Sequence, residues 1–245
     1  MSMPARTIRL RRPPQLIRVD GRYVPPVSLA EVDRVWESLR AANPRYFDGP
    51  ILHVLGMSRN GHGGVVLHVA ETSYRFYAVQ RPGLVGGFDC GIRPLGAKGL
   101  CRWRPPAEGS GASSALGGGE PRDRYLMARR SAAVAYYPNE WEFAPGGGLE
   151  PDDDPAGCLL RELAEETDYE AVSPPIAVAL LYDPGALSWE VVHKLEVRLS
   201  SHADATHAWE HAERNLVAYG EWPEPLAAVA RTMIDLIPRP SPPPR

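Results

Sequence analysis

A glycine-rich turn followed by an acidic helix, within residues 145–169, constrains this chain more than any other stretch. Glu162, Glu165 and Glu166 are spaced at i, i+3 and i+4, so a helix would place their carboxylates on one face. Such close carboxylates repel one another unless a counter-charge lies among them. One interpretation is a solvated acidic helix face. The other is a divalent cation site, for which Mg²⁺ or Mn²⁺ fits best because both accept carboxylate oxygens and bridge to phosphates.

The residues before the glutamates predict how this stretch folds. Asp154 is a good N-cap and Pro155 suits the first helical position, so we expect a helix from Pro155 to about Thr167. The glycines at 146–148 permit positive φ and a close approach of the backbone to a ligand. A carbonyl near Gly147 is therefore a candidate metal ligand.

The same stretch resembles the Nudix box, G-x5-E-x7-R-E-U-x-E-E-x-G-U, in which U is aliphatic. The matching positions are Gly147, Arg161, Glu162, Leu163, Glu165 and Glu166. Asp153 stands at the first box glutamate and Asp168 at the last box glycine. Asp is tolerated in the left-handed conformation that often ends a helix, so Asp168 is compatible with that position. The preceding Trp-Glu-Phe-Ala-Pro at 141–145 is also typical of the family.

The resemblance implies an α/β fold, the Nudix α/β/α sandwich with a mixed sheet, and a reaction class. Nudix hydrolases cleave a diphosphate bond in a nucleoside diphosphate derivative with the help of Mg²⁺ or Mn²⁺. By this resemblance Glu162 and Glu166 are the main metal ligands, and Glu165 binds a further metal or orients the site. We expect Arg161 to hold the glycine loop or its acidic residues in register through bidentate hydrogen bonds.

The general base stays open at the level of sequence. The family uses either a box carboxylate, here Glu165 or Asp153, or a glutamate from a downstream loop. In this chain the loop candidates are Glu210 first and Glu213 second, within the predicted loop 200–213.

The first 90 residues predict a small α+β module. Ser28 opens a capping box ahead of a helix from about Leu29 to Ala42, and strands follow at Ile51–Met57, Val65–Thr72 and Tyr74–Val79. After the helix comes an Asn-Pro-Arg-Tyr-Phe segment with two aromatic side chains, Tyr46 and Phe47. They either plug the helix onto a sheet or contact a base or sugar. A weaker resemblance to Nudix hydrolases of the UDP-glucose type, which carry a similar segment, supports the second interpretation.

The remaining chain predicts a Nudix domain over 91–238 and a Pro-rich tail at 239–245. Its strands are expected at 94–101, 124–130, 176–182 and 191–199, with a final helix stripe between Leu226 and Ile237. Residues 105–123 are rich in Gly, Ser, Ala and Pro, which predicts a surface loop. Arg129 and Arg130 either clamp a diphosphate or pair with the acidic box.

Composition limits the partners and the compartment. The formal net charge is −3 and the pI is near 6.2, so nucleic acid is not an expected partner. The three cysteines have no CxxC spacing, and no apolar run approaches the roughly 18 residues that a membrane span needs. With no secretory signal at the start, we expect a soluble cytoplasmic protein whose partner is a small nucleoside diphosphate derivative. A homodimer is left open.

Three functional alternatives remain from the sequence. The first-choice substrate is a nucleotide sugar such as UDP-glucose or UDP-galactose, followed by ADP-ribose or another dinucleotide. A second class is a Nudix-fold sensor that binds a nucleotide without turnover, which Asp153 favours and the intact Arg-Glu-x2-Glu-Glu core opposes. A third is an enzyme like isopentenyl-diphosphate isomerase, with Cys101 in the role of its catalytic cysteine, and the intact box argues against it.

Overall fold

The computed structural model describes residues 5–103, 123–201 and 208–238. The helices are α1 (Leu29–Ala42), α2 (Tyr74–Ala78), α3 (Pro155–Glu166) and α4 (Ala228–Ile234). The strands are β1 (Arg6–Arg9), β2 (Gln15–Arg22), β3 (Pro50–Arg59), β4 (Val65–Ser73), β5 (Leu95–Trp103), β6 (Arg124–Arg130), β7 (Trp141–Phe143), β8 (Gly146–Gly148), β9 (Tyr169–Ala171), β10 (Ile176–Asp183), β11 (Ser188–Leu199) and β12 (His211–Ala218). The expected tail at 239–245 lies outside these residues, as does all of the expected surface loop except Asp123.

A large mixed sheet positions the acidic helix. Its strands run in the order β1-β10-β11-β5-β6-β12, and β7, β8 and β9 pair with β6, β5 and β11. The pair β11–β5 is parallel, whereas β10–β11 and β5–β8 are antiparallel. Leu159 and Leu163 of α3 belong to a core cluster with alternate residues of β5 and β11. Val229 and Met233 of α4 belong to a second core cluster, which includes Leu100 of β5 and Val192 of β11. Helices therefore cover both faces of a mixed sheet, and the predicted α/β/α architecture is confirmed.

The N-terminal residues form a second sheet that shares its core with the first. Strands β2, β4 and β3 make a three-stranded sheet, with β2–β4 parallel and β3–β4 antiparallel. Leu52 and Leu67 from this sheet lie in the same apolar cluster as Leu95 of β5. In addition, β1 pairs with β10 and so belongs to the large sheet. The division of the chain at residue 90 stays a prediction.

Most of the predicted elements agree with the structure. α1 spans the expected Leu29–Ala42, and the Ser28 hydroxyl accepts a hydrogen bond from the Glu31 amide at 3.4 Å. α3 begins at Pro155 as expected, because Asp154 Oδ1 accepts from the amides of Ala156 and Gly157 at 2.9 Å. No helix in the described part of the chain is long and apolar enough to cross a membrane.

The sequence predictions were wrong for two segments. The predicted strand at Tyr74–Val79 is the helix α2, whose buried Phe76 and Tyr77 pack in one cluster with Val32 of α1. A short apolar run has no clear period, so tertiary packing decided its conformation. Glu213 was expected in a loop, yet it lies on β12, where it pairs across the sheet with Arg129.

The end of α3 also differs from the expectation. Among the described residues other than glycine, positive φ occurs at Tyr137, Asn139 and Leu187. Asp168 therefore does not adopt the left-handed conformation. The helix ends instead at Thr167, whose hydroxyl donates to the Leu163 carbonyl at 2.6 Å. A side-chain hydrogen bond thus closes this terminus and a glycine is not needed.

Candidate active site

The guanidinium of Arg161 lies among the acidic side chains of the box. It donates to Asp153 Oδ2 at 3.0 Å and to Glu162 Oε1 at 3.0 Å, and lies 3.5 Å from Glu165 Oε2. Asp153 also accepts a hydrogen bond from the Glu150 amide at 3.1 Å. Part of the counter-charge that the clustered acids require is therefore supplied within the chain.

Two of the glutamates contact the short glycine strand β8. Glu166 is 3% exposed and its Oε2 accepts a hydrogen bond from the Gly146 amide at 3.2 Å. A Cβ added to Gly147 would overlap the carboxyl group of Glu162. Gly147 is consequently required by the close approach of Glu162, and not by positive φ, since none of residues 146–148 has a positive φ.

The electrostatics of Glu166 favour a cation beside it. Burial, and then the negative charge of Glu162, raise the pKa of Glu166 to about 8. Among the described residues no group of three or more His, Cys, Asp and Glu side chains is arranged to hold a metal. Magnesium, however, is usually held by one or two carboxylates together with waters and substrate phosphates. Glu162, Glu166 and a carbonyl of β8 fit that requirement.

A buried ionic cluster lies next to the glycine strand. The carboxylate of Glu142, 4% exposed, accepts from Lys98 Nζ and from the Arg130 guanidinium, each at 2.5 Å, and His211 Nε2 is 3.6 Å away. Burial opposes its ionisation, but Lys98 and Arg130 outweigh burial and hold the pKa of Glu142 well below its ordinary value. Arg130 therefore pairs with Glu142 on β7 and not with the acidic box.

A cavity of about 340 Å³ opens beside this cluster. Its floor comes from β5, β8 and the start of β11, and its other wall comes from the N-terminal residues Ile51, Tyr74 and Tyr77. Cavities that bind small ligands commonly start at about this size.

Glu190 and Ser188 form a polar corner of this cavity. The Ser188 hydroxyl donates to Glu190 Oε1 at 2.6 Å, and a Cβ on Gly96 would overlap Glu190 Oε2. Burial raises the pKa of Glu190 to about 7, although Lys98 lowers it. This carboxyl group thus faces the glycine floor of the cavity from a buried position.

The predicted residues outside the box do not all lie beside the acidic helix. Glu210 lies in a 3₁₀ turn (Ala208–Glu210), and its charge contributes to the raised pKa of Glu166. The exposed Glu213 forms an ion pair with Arg129 at 3.4 Å, so each of these two side chains already has a charged partner. They lie on the edge strand β12 and on its neighbour β6.

The aromatic pair of the N-terminal segment is divided between core and surface. Tyr46 packs at 5.9 Å from Trp36 and 6.4 Å from Tyr74, and its hydroxyl accepts from Arg81 at 3.2 Å. Phe47 is 79% exposed. The structure therefore places Tyr46, but not Phe47, in the packing role considered from the sequence.

Three charged residues near the site have no role in the sequence predictions. Lys98, Glu142 and Glu190 each interrupt an apolar strand. Glu142 and Glu190 are buried in the structure, and the Lys98 side chain is 12% exposed. A lone charge in a buried strand requires a partner from elsewhere in the chain. That signal was available in the sequence, although it does not name the partner.

Residues 118–237 match the family model of the NUDIX domain. The chain therefore carries a NUDIX domain, which spans just under half of its length. This domain makes the protein a pyrophosphohydrolase, and Nudix hydrolases generally need a divalent cation. No curated protein matches the sequence.

Solved structures similar to this chain include three Nudix proteins. A MutT NUDIX hydrolase from Burkholderia pseudomallei is 15% identical, with 60% of this chain and 98% of that chain covered and a TM-score of 0.43. The NUDIX domain of Shewanella oneidensis NrtR, complexed with ADP ribose, is 16% identical over 62% and 92%, with a TM-score of 0.37. A C. elegans Ap4A hydrolase is 16% identical over 58% and 91%, with a TM-score of 0.35. The family assignment rests on the domain match.

Proposed function

We propose that this protein hydrolyses a diphosphate bond in a nucleoside diphosphate derivative, with a nucleotide sugar such as UDP-glucose as the first-choice substrate. The observation that carries the proposal is the contact of both Glu162 and Glu166 with the glycine strand β8, whose residues also line the cavity. A phosphate chain bound along β8 would lie between the carboxylates and a ring in the cavity.

The residues of the site would have different roles in hydrolysis. Glu162 and Glu166 would hold Mg²⁺ or Mn²⁺, with a carbonyl near Gly147 and with Glu165 at a further metal or as an orienting group. When bound, the cation neutralises phosphate charge and lowers the pKa of a water molecule. Lys98, whose side chain lies against Gly146, adds positive charge beside the same strand.

The general base is assigned to Glu210. Asp153 already accepts hydrogen bonds from Arg161 and from a backbone amide, and Glu213 is paired with Arg129. Glu210 is half-buried and close enough to Glu166 to affect its pKa. We therefore rank Glu210 first, with Glu165 and Asp153 behind it and Glu213 last.

ADP-ribose or a dinucleotide is the second candidate substrate. A release assay with added phosphatase, run on UDP-glucose, UDP-galactose, ADP-ribose and dinucleotides with Mg²⁺ or Mn²⁺, tests both candidates. Phosphate release from the sugar nucleotides supports the first, and release from ADP-ribose alone replaces it with the second. Tight binding without release from any compound would indicate a nucleotide sensor instead.

A further inference from the structure

Three glycines on neighbouring strands leave a hollow in one face of the large sheet. Glu190, Gly96 and Gly148 are paired in register across β11, β5 and β8, and Lys98 pairs with Gly146 one step along. Directly paired residues, and residues two apart on a strand, point to the same face. The Glu190 and Lys98 side chains lie over Gly96 and Gly146, whereas the space above Gly148 is open. The hollow is therefore the space above Gly148, with Glu190 and Lys98 at its edge.

The hollow depends on the absence of these side chains. A Cβ on Gly146 would come within 2.6 Å of the Lys98 side chain, and one on Gly96 would overlap the Glu190 carboxyl group. A Cβ on Gly148 would meet nothing within 4 Å, so it would point into the open space. Gly147, the alternate residue of β8, faces Glu162 on the opposite side. The hollow and the carboxylate site therefore occupy opposite faces of one three-residue strand.

The walls of the hollow differ in chemistry. Ile51, Tyr74 and Tyr77 supply apolar and aromatic surface from the N-terminal residues. Tyr77 is fixed by a stack with Tyr136, at 5.4 Å between ring centroids, and by a hydrogen bond of 2.6 Å to the Ala186 carbonyl. On the floor, the Ser188 hydroxyl donates to one Glu190 oxygen, and the other carboxyl oxygen lies over Gly96. Such a combination suits the flat face of a ring and a donor on its edge.

We propose that this hollow binds a ring of the substrate that packs on Tyr74 and donates a hydrogen bond to the Glu190 carboxylate. The N-terminal residues would then help to determine substrate specificity. This inference rests on the proposed function, because the ring is the part of a nucleoside diphosphate derivative that lies beyond the phosphates. Two sources share the chemistry: the hydroxyls of the linked sugar and the N–H groups of the nucleobase.

The test fills the hollow without disturbing its walls. Gly148→Leu places a side chain in the open space, and Gly56→Leu is a matched control, since its Cβ also meets nothing within 4 Å and it lies on β3 outside the cavity. Glu190→Gln removes the accepting charge at constant volume and serves as a second variant. Binding of UDP-glucose, UDP, ADP-ribose and ADP is measured by calorimetry, in EDTA and in Mg²⁺, with melting temperatures as a check on folding.

We expect Gly148→Leu and Glu190→Gln to weaken binding about tenfold or more, which is the scale of one hydrogen bond to a charged group. Gly56→Leu should bind each probe with the affinity of the wild type. A loss for UDP-glucose or ADP-ribose but not for UDP or ADP identifies the linked sugar as the ring. An equal loss for the diphosphate alone identifies the base. The proposal is overturned when folded Gly148→Leu and Glu190→Gln bind every probe as the control does, or when the wild type binds none.

The same experiment separates this proposal from the proposed function. Binding that depends on Gly148 and Glu190, with no hydrolysis of any probe, would leave the hollow in place and remove the reaction. Hydrolysis that is insensitive to both variants would do the reverse.

Discussion

Lys98 Nζ, on β5, donates a 2.5 Å hydrogen bond to the Glu142 carboxylate on β7, and the two side chains are 12% and 5% exposed. Lys98 also lies against Gly146 of β8, so this ion pair connects the strand before the acidic helix to the centre of the sheet. Although burial opposes its charge, Glu142 and Glu190 raise the pKa of Lys98. The pair therefore stays ionised beneath the candidate active site.

Glu142→Gln should destabilise the fold strongly. The change keeps the volume but leaves the largely buried cations Lys98 and Arg130, 12% and 16% exposed, without their shared carboxylate. Removing one partner of a buried ion pair typically costs about 3–5 kcal/mol of unfolding free energy. Urea denaturation measures this cost. A loss below about 1 kcal/mol would show that the cluster contributes little to stability.

Chelation should abolish hydrolysis. Without a cation Glu162 and Glu166 would repel a diphosphate, so excess EDTA is expected to stop turnover and added Mg²⁺ or Mn²⁺ to restore it. The readout is phosphate release from the best substrate of the screen. Full activity in excess EDTA would contradict the assignment of this site.

Glu166→Gln should separate chemistry from folding. The variant removes one charge of the carboxylate pair at constant volume, so turnover should fall about a hundredfold or more. Its melting temperature in EDTA should hold or rise, because one buried and repelled carboxylate is gone. Glu37→Gln, on the exposed face of α1, is the control and should change neither quantity. Unchanged turnover in Glu166→Gln would mean that the metal binds elsewhere.

The general base can be identified from three pH–rate profiles. Glu210→Gln should remove the limb at which the base titrates and most of the turnover, whereas Asp153→Glu should change turnover little because Asp153 already binds Arg161. Glu213→Gln should also change little, since that side chain pairs with Arg129. Loss of the same limb in Asp153→Asn, with both loop variants normal, would assign the base to the box.

His193 should make the fold sensitive to mild acid. Burial lowers the pKa of His193 from 6.5 to about 4, and its Nδ1 lies 3.1 Å from the Val191 carbonyl. Because the folded pKa is below the unfolded one, the unfolded chain binds more protons between those values. Stability is therefore lost as pH falls from about 6.5 to about 4, by up to about 3 kcal/mol.

The matched variant for this effect is His193→Asn, which keeps a donor near the Nδ1 position and cannot titrate. The difference in unfolding free energy between wild type and variant, measured from pH 7 to pH 4, should shrink as pH falls. A constant difference over that range would show that His193 does not titrate on unfolding.

The sequence by itself determined the acidic helix, its cap and the Nudix family. These features depend on residues within one or two turns of one another: Asp154 caps α3, and the spacing of Glu162 and Glu166 follows from the helical repeat. The layered fold was predicted from the resemblance to the Nudix box, which implies an α/β/α sandwich. The helix α2 could not be predicted, because its short apolar run has no distinct period and packing against α1 decided it.

Only the tertiary structure decided where the buried charges and the hollow lie. Glu142 and Lys98 are 44 residues apart in the chain, and Glu190 is aligned with Gly96 and Gly148 only through the register of three strands. Register is fixed by which faces of the strands are buried, and that property belongs to the assembled sheet. The sequence shows that Lys98, Glu142 and Glu190 need partners, and the pairing of the strands supplies them.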